Sequence, residues 1–274
     1  MDFVVTGGSS GVGAALVNQL TQAGHTVFNL DLQPPAEPAA GCEFLEIDLS
    51  NPQAIESALD RIPHTLHGLA NVAGIARAKE PELVLRVNFL GPRYLTELLT
   101  PRLQKSSTVV SVSSTAGWDW QTRKDRLAPL LATDTFEAGA SWCREHAAVL
   151  SRDPYSFSKR CLSAWTAARA QTFQQTGVRI NCVSPAAIDT PLHPLFKELM
   201  GADHSDWQIE KVGGMATPDQ VAQVLNMLLT SHTEWLNGAD IPIDGGYAAG
   251  RASGWIDFNE SPAMRAIQAK QKRS

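Results

Sequence analysis

The chain has 274 residues, 43% of them hydrophobic and 19% charged, which is enough apolar material for one large folded domain and too much for a disordered chain. A formal net charge of −5, with no basic stripe interleaved with aromatics, argues against a nucleic-acid surface. No apolar run approaches the length of a membrane span, and a core-type strand at residue 3 argues against a signal peptide, so a cytoplasmic protein is expected.

Phe3-Val4-Val5 predicts the first strand. Behind it, Gly7-Gly8-Ser9-Ser10-Gly11-Val12-Gly13 predicts a glycine turn opening a helix through Leu16 and Leu20 to about Ala23. This layout holds a dinucleotide pyrophosphate: glycines permit the turn and a close backbone approach, and the helix start offers free N–H groups. The spacing is GxxxGxG, from Gly7 to Gly11 to Gly13, rather than GxGxxG.

Residues 26–30 predict the second strand, ending at Asp31, and the proline- and alanine-rich stretch 33–41 a loop. A third strand follows over 43–47, then a helix with Ser50 or Asn51 at its cap and Pro52 in its first turn. The fourth strand spans 66–72 and ends in Ala73-Gly74. A long helical pattern over 83–103 carries Pro92 as a possible bend. The fifth strand is 108–112, the next helix 155–175, the sixth strand 178–183, a helix 218–229 and the last strand 239–243. Strands alternating with helices predict an α/β protein: a single-domain Rossmann fold with a doubly wound, seven-stranded parallel sheet.

Two stretches exceed that minimum. Residues 116–150, helical over 138–149, form an insertion before Tyr155, and residues 248–274 form a C-terminal extension with Trp255, Ile256 and Phe258 as an apolar anchor. Both belong to one domain covering 1–274. The basic run Lys270-Gln271-Lys272-Arg273 reads as a solvated end. Four cysteines (Cys42, Cys143, Cys161 and Cys182) lack CxxC spacing, so neither a zinc site nor a disulfide framework is expected, and no metal site is visible.

Asp31 stands where a carboxylate accepts hydrogen bonds from the adenosine ribose and repels a 2′-phosphate. No Arg or Lys occurs in residues 7–33, which favours NAD over NADP. The alternative is a plain turn aspartate. Tyr155 and Lys159, four residues apart, share one helix face. An ammonium there favours phenolate and lowers the tyrosine pKa from about 10, so the phenol can exchange a proton with an alcohol or carbonyl oxygen.

Thr6 to Gly13, Asn71-Val72-Ala73-Gly74, Asn88, Val112-Ser113-Ser114, Tyr155 to Lys159, Asn181 to Pro185 and Ile243 to Gly246 together resemble the short-chain dehydrogenase/reductase family. The resemblance implies Tyr155 as general acid/base. Lys159 would lower its pKa and hold the nicotinamide ribose. Ser114 would hydrogen-bond the substrate oxygen, and Asn88 would bend a helix and place a relay water. It implies NAD bound by Gly7, Ser9, Ser10, Gly11, Val12, Gly13, Asp31 and Leu32, with Asp48, Leu49, Asn71, Ala73 and Gly74 on the adenosine side. Pro185, Ala186, Ile188 and Thr190 would lie near the carboxamide, beside Tyr155 and Lys159. Transfer to the B face is implied. Val72 replaces an asparagine and Ala186 a glycine of the family pattern, and neither removes a reacting group. The long interval from Ser114 to Tyr155 is similar to the bacterial 3α-hydroxysteroid dehydrogenase/carbonyl reductase subgroup, whose insertion takes part in subunit contact. A homodimer or homotetramer is therefore implied.

Trp118, Trp120, Pro191, Leu192, Leu195, Phe196, Leu199, Met200 and Trp207 fall in the segments expected to meet substrate, and 191–200 could be a lid. Their character favours a hydrophobic cyclic alcohol or ketone. The expected activity is NAD(H)-dependent interconversion of a secondary alcohol and ketone, with a monoterpenol-like alicyclic alcohol preferred to a hydroxysteroid. A catalytically idle dinucleotide-sensing protein is the reading from another class. The joint presence of Ser114, Tyr155 and Lys159 disfavours it.

Overall fold

The computed structural model describes residues 1–231 and 233–271, so Lys272 and Arg273 of the basic run lie outside the described residues. Strands β1 (Asp2–Thr6), β2 (Thr26–Asp31), β3 (Cys42–Glu46), β4 (Leu66–Asn71), β5 (Leu103–Val112), β6 (Arg179–Pro185) and β7 (Asp240–Ile243) form one sheet in the order β3-β2-β1-β4-β5-β6-β7. Every pairing is parallel, so helical crossovers cover both faces. The strand order reverses between β1 and β4, and the crevice above their C-terminal ends is the dinucleotide position of such sheets.

Alternation along the strands divides the core in two. Val4, Phe28, Leu30, Leu69, Val109 and Ile180 face one side, and Phe3, Val5, Val27, Ala70, Val110 and Val183 the other. Helices α1 (Gly11–Gln22) and α11 (Pro218–Thr230) seal the second side through Leu16, Leu20, Val221, Leu225 and Leu228. Each such burial contributes about 1.5–3 kcal/mol. The first side is covered by α2 (Pro52–Ala58), α3 (Pro81–Leu85), α4 (Gly91–Leu99) and α8 (Pro154–Thr176). Local signals fix the helix starts: Asn51 Oδ1 accepts from Gln53 N–H at 3.0 Å, and Thr217 forms a capping box with Gln220.

The helical pattern over 83–103 is not one helix. It breaks into α3, a π-helical turn (Arg86–Leu90), α4 and a final 3₁₀ turn. Pro92 has no N–H to give the Asn88 carbonyl, and Gly91 N–H instead reaches Arg86 O, the wider π spacing.

Between β5 and α8 lies the helical insertion: a 3₁₀ segment (Thr115–Arg123), α5 (Lys124–Leu131), α6 (Phe136–Glu145) and α7 (Ala147–Leu150). The helix expected over 138–149 is interrupted at His146, whose φ of −107° and ψ of 17° leave the helical region. Leu127, Leu130, Phe136, Cys143 and Leu150 join the first core cluster. After β6 come α9 (His193–Met200) and α10 (Ala202–Val212); after β7 come α12 (Tyr247–Ser253) and α13 (Pro262–Gln271). The C-terminal extension packs on its own chain. Ile256 is buried and Phe258 meets Trp207 edge-on, but Trp255 is 58% exposed and anchors little. Burial pushes the Cys143 thiol up to about 12, in keeping with an inert core residue. Among the described residues no helix is long and apolar enough to cross a membrane.

Candidate active site

The turn after β1 is built from backbone brought close to backbone. Gly7 (φ +71°) and Gly11 (φ +52°) adopt left-handed conformations. A Cβ on Gly13 would lie 2.0 Å from the Gly7 oxygen, and one on Gly7 2.7 Å from Ala73 Cα. Ser10 caps α1 without a side-chain hydrogen bond, leaving first-turn N–H groups to an anion. Val12 is buried and offers only its backbone. Thr190 Cγ2 would be 3.6 Å from a Cβ on Gly11, so the loop after β6 closes against this turn.

At the end of β2, Asp31 Oδ2 accepts from Ser9 N–H at 3.0 Å, and Asn29 Nδ2 donates to Ser9 Oγ at 3.0 Å. Leu32 beside it is exposed. Asp48 Oδ1 accepts from Ser50 N–H at 2.8 Å in a tight turn, and Leu49 is buried. The glycine cradle, the open helix start and the acidic strand end fit a dinucleotide, with no cation in residues 7–33 for an added phosphate.

Asn71 departs from expectation. It is 2% exposed, and its Nδ2 donates inward to Thr96 Oγ1 (3.0 Å) and Ser111 Oγ (3.2 Å), so its side chain ties β4 to its neighbours rather than facing the crevice. The fastening at the switch point falls to Thr6, whose Oγ1 accepts from Val72 N–H (3.0 Å) and Ala73 N–H (3.1 Å). Val72, where the family pattern has asparagine, packs against the second core cluster.

Across the crevice, Lys159 is 4% exposed; its Nζ donates to Val112 O at 2.7 Å and lies 5.7 Å from the Tyr155 ring centroid. Gly74 makes room for it: a Cβ there would lie 3.6 Å from Lys159 Nζ and 3.3 Å from Asn88 Oδ1. Asn88 is fully buried on the π turn; its Oδ1 accepts from Ile75 N–H (2.8 Å), and its Nδ2 donates to Ile75 O (2.9 Å) and Ser158 Oγ (3.1 Å). Its amide thus fixes the loop after β4 against α8. Ser113 Oγ, which donates to Lys159 O at 3.1 Å, ties β5 to the same helix. Ser114 accepts from Ala116 N–H at 3.1 Å and lines a cavity shared with Tyr155.

Burial pushes the Tyr155 phenol up to about 12, against a hydrogen bond to Ser114 that lowers it and a push from Asp153 that raises it further. The expectation of a lowered tyrosine pKa is thereby reversed for the protein alone. The ammonium is occupied by the Val112 carbonyl, and burial brings Lys159 itself down from 10.5 to about 8. The depressed pKa means that the unfolded chain binds more protons between about pH 8 and 10.5. The cost to stability is full below about 8 and is relieved as pH rises through that window. Lys159→Met is expected to raise stability at pH 7 by roughly 1–3 kcal/mol, the loss at Val112 O included, and to flatten stability against pH above 8. Urea unfolding at pH 7 and pH 10 measures both; a destabilised variant at pH 7 would refute this.

The shared cavity has a volume of about 780 Å³. Pro185, Ala186, Ile188 and Thr190 line it beside Ser114 and Tyr155. Phe196 on α9 meets the Tyr155 ring edge-on at 4.8 Å, so α9 reaches the phenol ring. Of the expected substrate residues, Trp118, Phe196, Leu199 and Met200 line the cavity. Trp120 packs into the first core cluster beneath Lys124, and Trp207 stacks on His204 and edge-on to Tyr247. Pro191, Leu192 and Leu195 are absent from the wall. Sequence reasoning missed Lys79, Arg152, His204, Gln208, Tyr247 and Arg251, all on the wall. Arg152, His204 and Gln208 fall in the stretches 151–154 and 186–212 expected to meet substrate and Arg251 in the C-terminal extension, where apolar character was the signal and these polar side chains gave none.

Residues 3–187 match the NAD dependent epimerase/dehydratase family, and residues 139–248 the enoyl-(acyl carrier protein) reductase family. The chain is 34% identical over 248 residues to the coniferyl-alcohol dehydrogenase of Pseudomonas sp. (strain HR199), covering 90% of this chain and 96% of that protein. It is 30% identical over 257 residues to the 3-alpha-hydroxysteroid dehydrogenase/carbonyl reductase of Comamonas testosteroni, with coverage of 90% and 96%. The crystal structure of the 3-alpha-hydroxysteroid dehydrogenase from Pseudomonas sp. B-0831 complexed with NADH superposes with a TM-score of 0.77 at 28% identity, over 92% of this chain and 99% of that one.

Proposed function

The chain belongs to the short-chain dehydrogenase/reductase family and is an NAD(H)-dependent oxidoreductase of an alcohol or its carbonyl counterpart, and from that premise we propose a polycyclic, hydroxysteroid-type alcohol or ketone as its substrate. The carrying observation is the cavity of about 780 Å³ that joins Ser114 and Tyr155 to α12. That volume stands toward the upper end of the ~300–1,000 Å³ usual for small-molecule sites. The monoterpenol-sized substrate favoured by the aromatic residues loses support because Trp120 and Trp207 do not fill the wall. A second reading, an aromatic allylic alcohol, is supported by the 34% identity to coniferyl-alcohol dehydrogenase.

Bound NAD supplies the hydride acceptor. Tyr155, as phenolate, takes the hydroxyl proton of the alcohol, and as phenol returns it to the carbonyl oxygen. Ser114 donates a hydrogen bond to that oxygen and fixes its distance from the phenol. Lys159, held by Val112 O, supports the phenolate charge. Asn88 positions Lys159's surroundings through Ile75 and Ser158. A homodimer or homotetramer belongs to this reading as what the likeness to the hydroxysteroid dehydrogenase subgroup implies.

A panel of a 3-hydroxysteroid, coniferyl alcohol and a monocyclic monoterpenol, scored by kcat/KM for NADH formation, tests the choice. The steroid is expected to lead by about tenfold, a little over 1 kcal/mol of transition-state binding. A monoterpenol leading by that margin would overturn the reading; coniferyl alcohol leading would establish the second.

A further inference from the structure

The cavity wall carries positive charge that an apolar substrate does not use. Four cationic side chains line it, Arg77, Lys79, Arg152 and Arg251, against one carboxylate, Asp153, in a chain whose net charge is −5. The cations come from three places: the loop after β4, the approach to α8, and α12.

Arg77 already has a partner, with its Nη1 2.9 Å from Glu198 Oε1 on α9. Asp153 is also engaged: it caps α8 by accepting from Ser156 N–H at 3.1 Å and lies 4.0 Å from Arg160 Nη1. Lys79, Arg152 and Arg251 have no carboxylate partner among the described residues.

Arg251 is exposed, as are Lys79 and Arg152, but its guanidinium rests on two aromatic rings. Its guanidinium lies 4.1 Å from the Phe258 ring centroid and 5.8 Å from that of Tyr247, whose hydroxyl accepts from Gln208 Nε2 at 3.1 Å. A stacked, planar guanidinium loses less freedom on meeting a carboxylate than a mobile ammonium does, and it offers two parallel donors. On the same wall, His204 Nδ1 is buried with no hydrogen-bond partner among the described residues. Burial and the Arg251 charge hold that ring below its ordinary pKa, so it stays neutral near pH 7.

We propose that the substrate's ring skeleton bears a carboxylate or sulfonate, recognised at this cationic wall by Arg251 together with Arg152 and Lys79. The proposal rests on the oxidoreductase reading, since Ser114 and Tyr155 take the reacting oxygen of the same ligand. Trp118, Leu199 and Met200 supply the apolar part of the wall. The contribution depends on salt, because these cations face an open cavity.

Binding separates this proposal from turnover. The Tyr155→Phe protein loaded with NADH is titrated calorimetrically with two acids, para-formylbenzoate and a 3-ketosteroid with a side-chain carboxylate, and with their methyl esters. On at least one skeleton the acid is expected to bind about tenfold tighter than its ester at low salt, with the preference shrinking as salt is added. Arg251→Gln is expected to cut the preference to below about threefold and Arg152→Gln to reduce it, whereas Arg265→Gln on α13, outside the wall, retains it. Equal or tighter binding of the ester on both skeletons, absence of binding by either acid, or a preference untouched by both Arg251→Gln and Arg152→Gln would overturn the proposal. The oxidoreductase reading fails separately, if the wild-type enzyme forms no NADH from any alcohol of either charge.

Discussion

Tyr155→Phe is expected to lower kcat for alcohol oxidation by about 10³-fold, in the range for loss of a positioned proton-transfer group. The Kd for NADH, read by fluorescence titration, is expected to change by less than about twofold, because the removed atom is a single hydroxyl on the far side of the crevice from the glycine turn. Retained turnover would remove Tyr155 from the chemistry. Lost turnover with lost NADH binding would mean that the substitution disturbs the crevice, not the proton transfer.

The two perturbed pKa values also specify the shape of the pH profile. Tyr155 stands at about 12 and Lys159 at about 8, so on raising pH the first proton leaves the lysine. Oxidation needs phenolate beside ammonium, and that pair has the same proton count as phenol beside amine. The fraction of the active form therefore rises with pH up to the lysine value and is constant above it, although the tyrosine itself titrates far higher. Reduction uses phenol beside ammonium, the fully protonated pair, so it is flat below about 8 and falls above it. kcat/KM measured from pH 6 to 11 in both directions should break in the same place. A break only above pH 10 would show that Lys159 keeps its proton and does not limit the site.

What the sequence made legible was what local spacing encodes. The Gly7–Gly13 turn, Asp31 at a strand end, and Tyr155 with Lys159 four residues on are each set within a turn or two of chain, and the structure puts them around one crevice. What spacing does not encode is which way a side chain faces once three-dimensional neighbours compete for it. Trp118 and Trp120 are two residues apart on a 3₁₀ segment of about three residues per turn, so they diverge, one to the cavity and the other to the core. Asn71 ends a buried strand, where hydrogen-bond partners on α4 and β5 claim its amide. The Tyr155 pKa followed burial, which no neighbour count along the chain reveals. The cationic wall is gathered from Lys79, Arg152 and Arg251, on separate elements, and no periodicity links them.

Asp31 offers a sharper separation of two roles that the sequence left open. Its carboxylate accepts from Ser9 N–H at 3.0 Å and Gln33 N–H at 3.4 Å, so it is at once a fastener of the glycine turn and an anion where an adenosine ribose would lie. Asp31→Asn keeps an acceptor for Ser9 and removes the charge. A 2′-phosphate then meets no like charge there, and the ratio of kcat/KM for NAD over NADP is expected to fall by about 100-fold, roughly 3 kcal/mol. The fall should come mainly from improved NADP use, since no lysine or arginine in residues 7–33 already favours the phosphate. Asp31→Ala also removes the acceptor, leaving Ser9 N–H unpaired, and should weaken both cofactors together. If Asp31→Asn shifts the ratio by less than about threefold while Asp31→Ala weakens both, the carboxylate is a fastener alone. Selectivity against the phosphate would then have to come from the shape of the turn from Ser9 to Gly11, which Asp31 holds but does not charge.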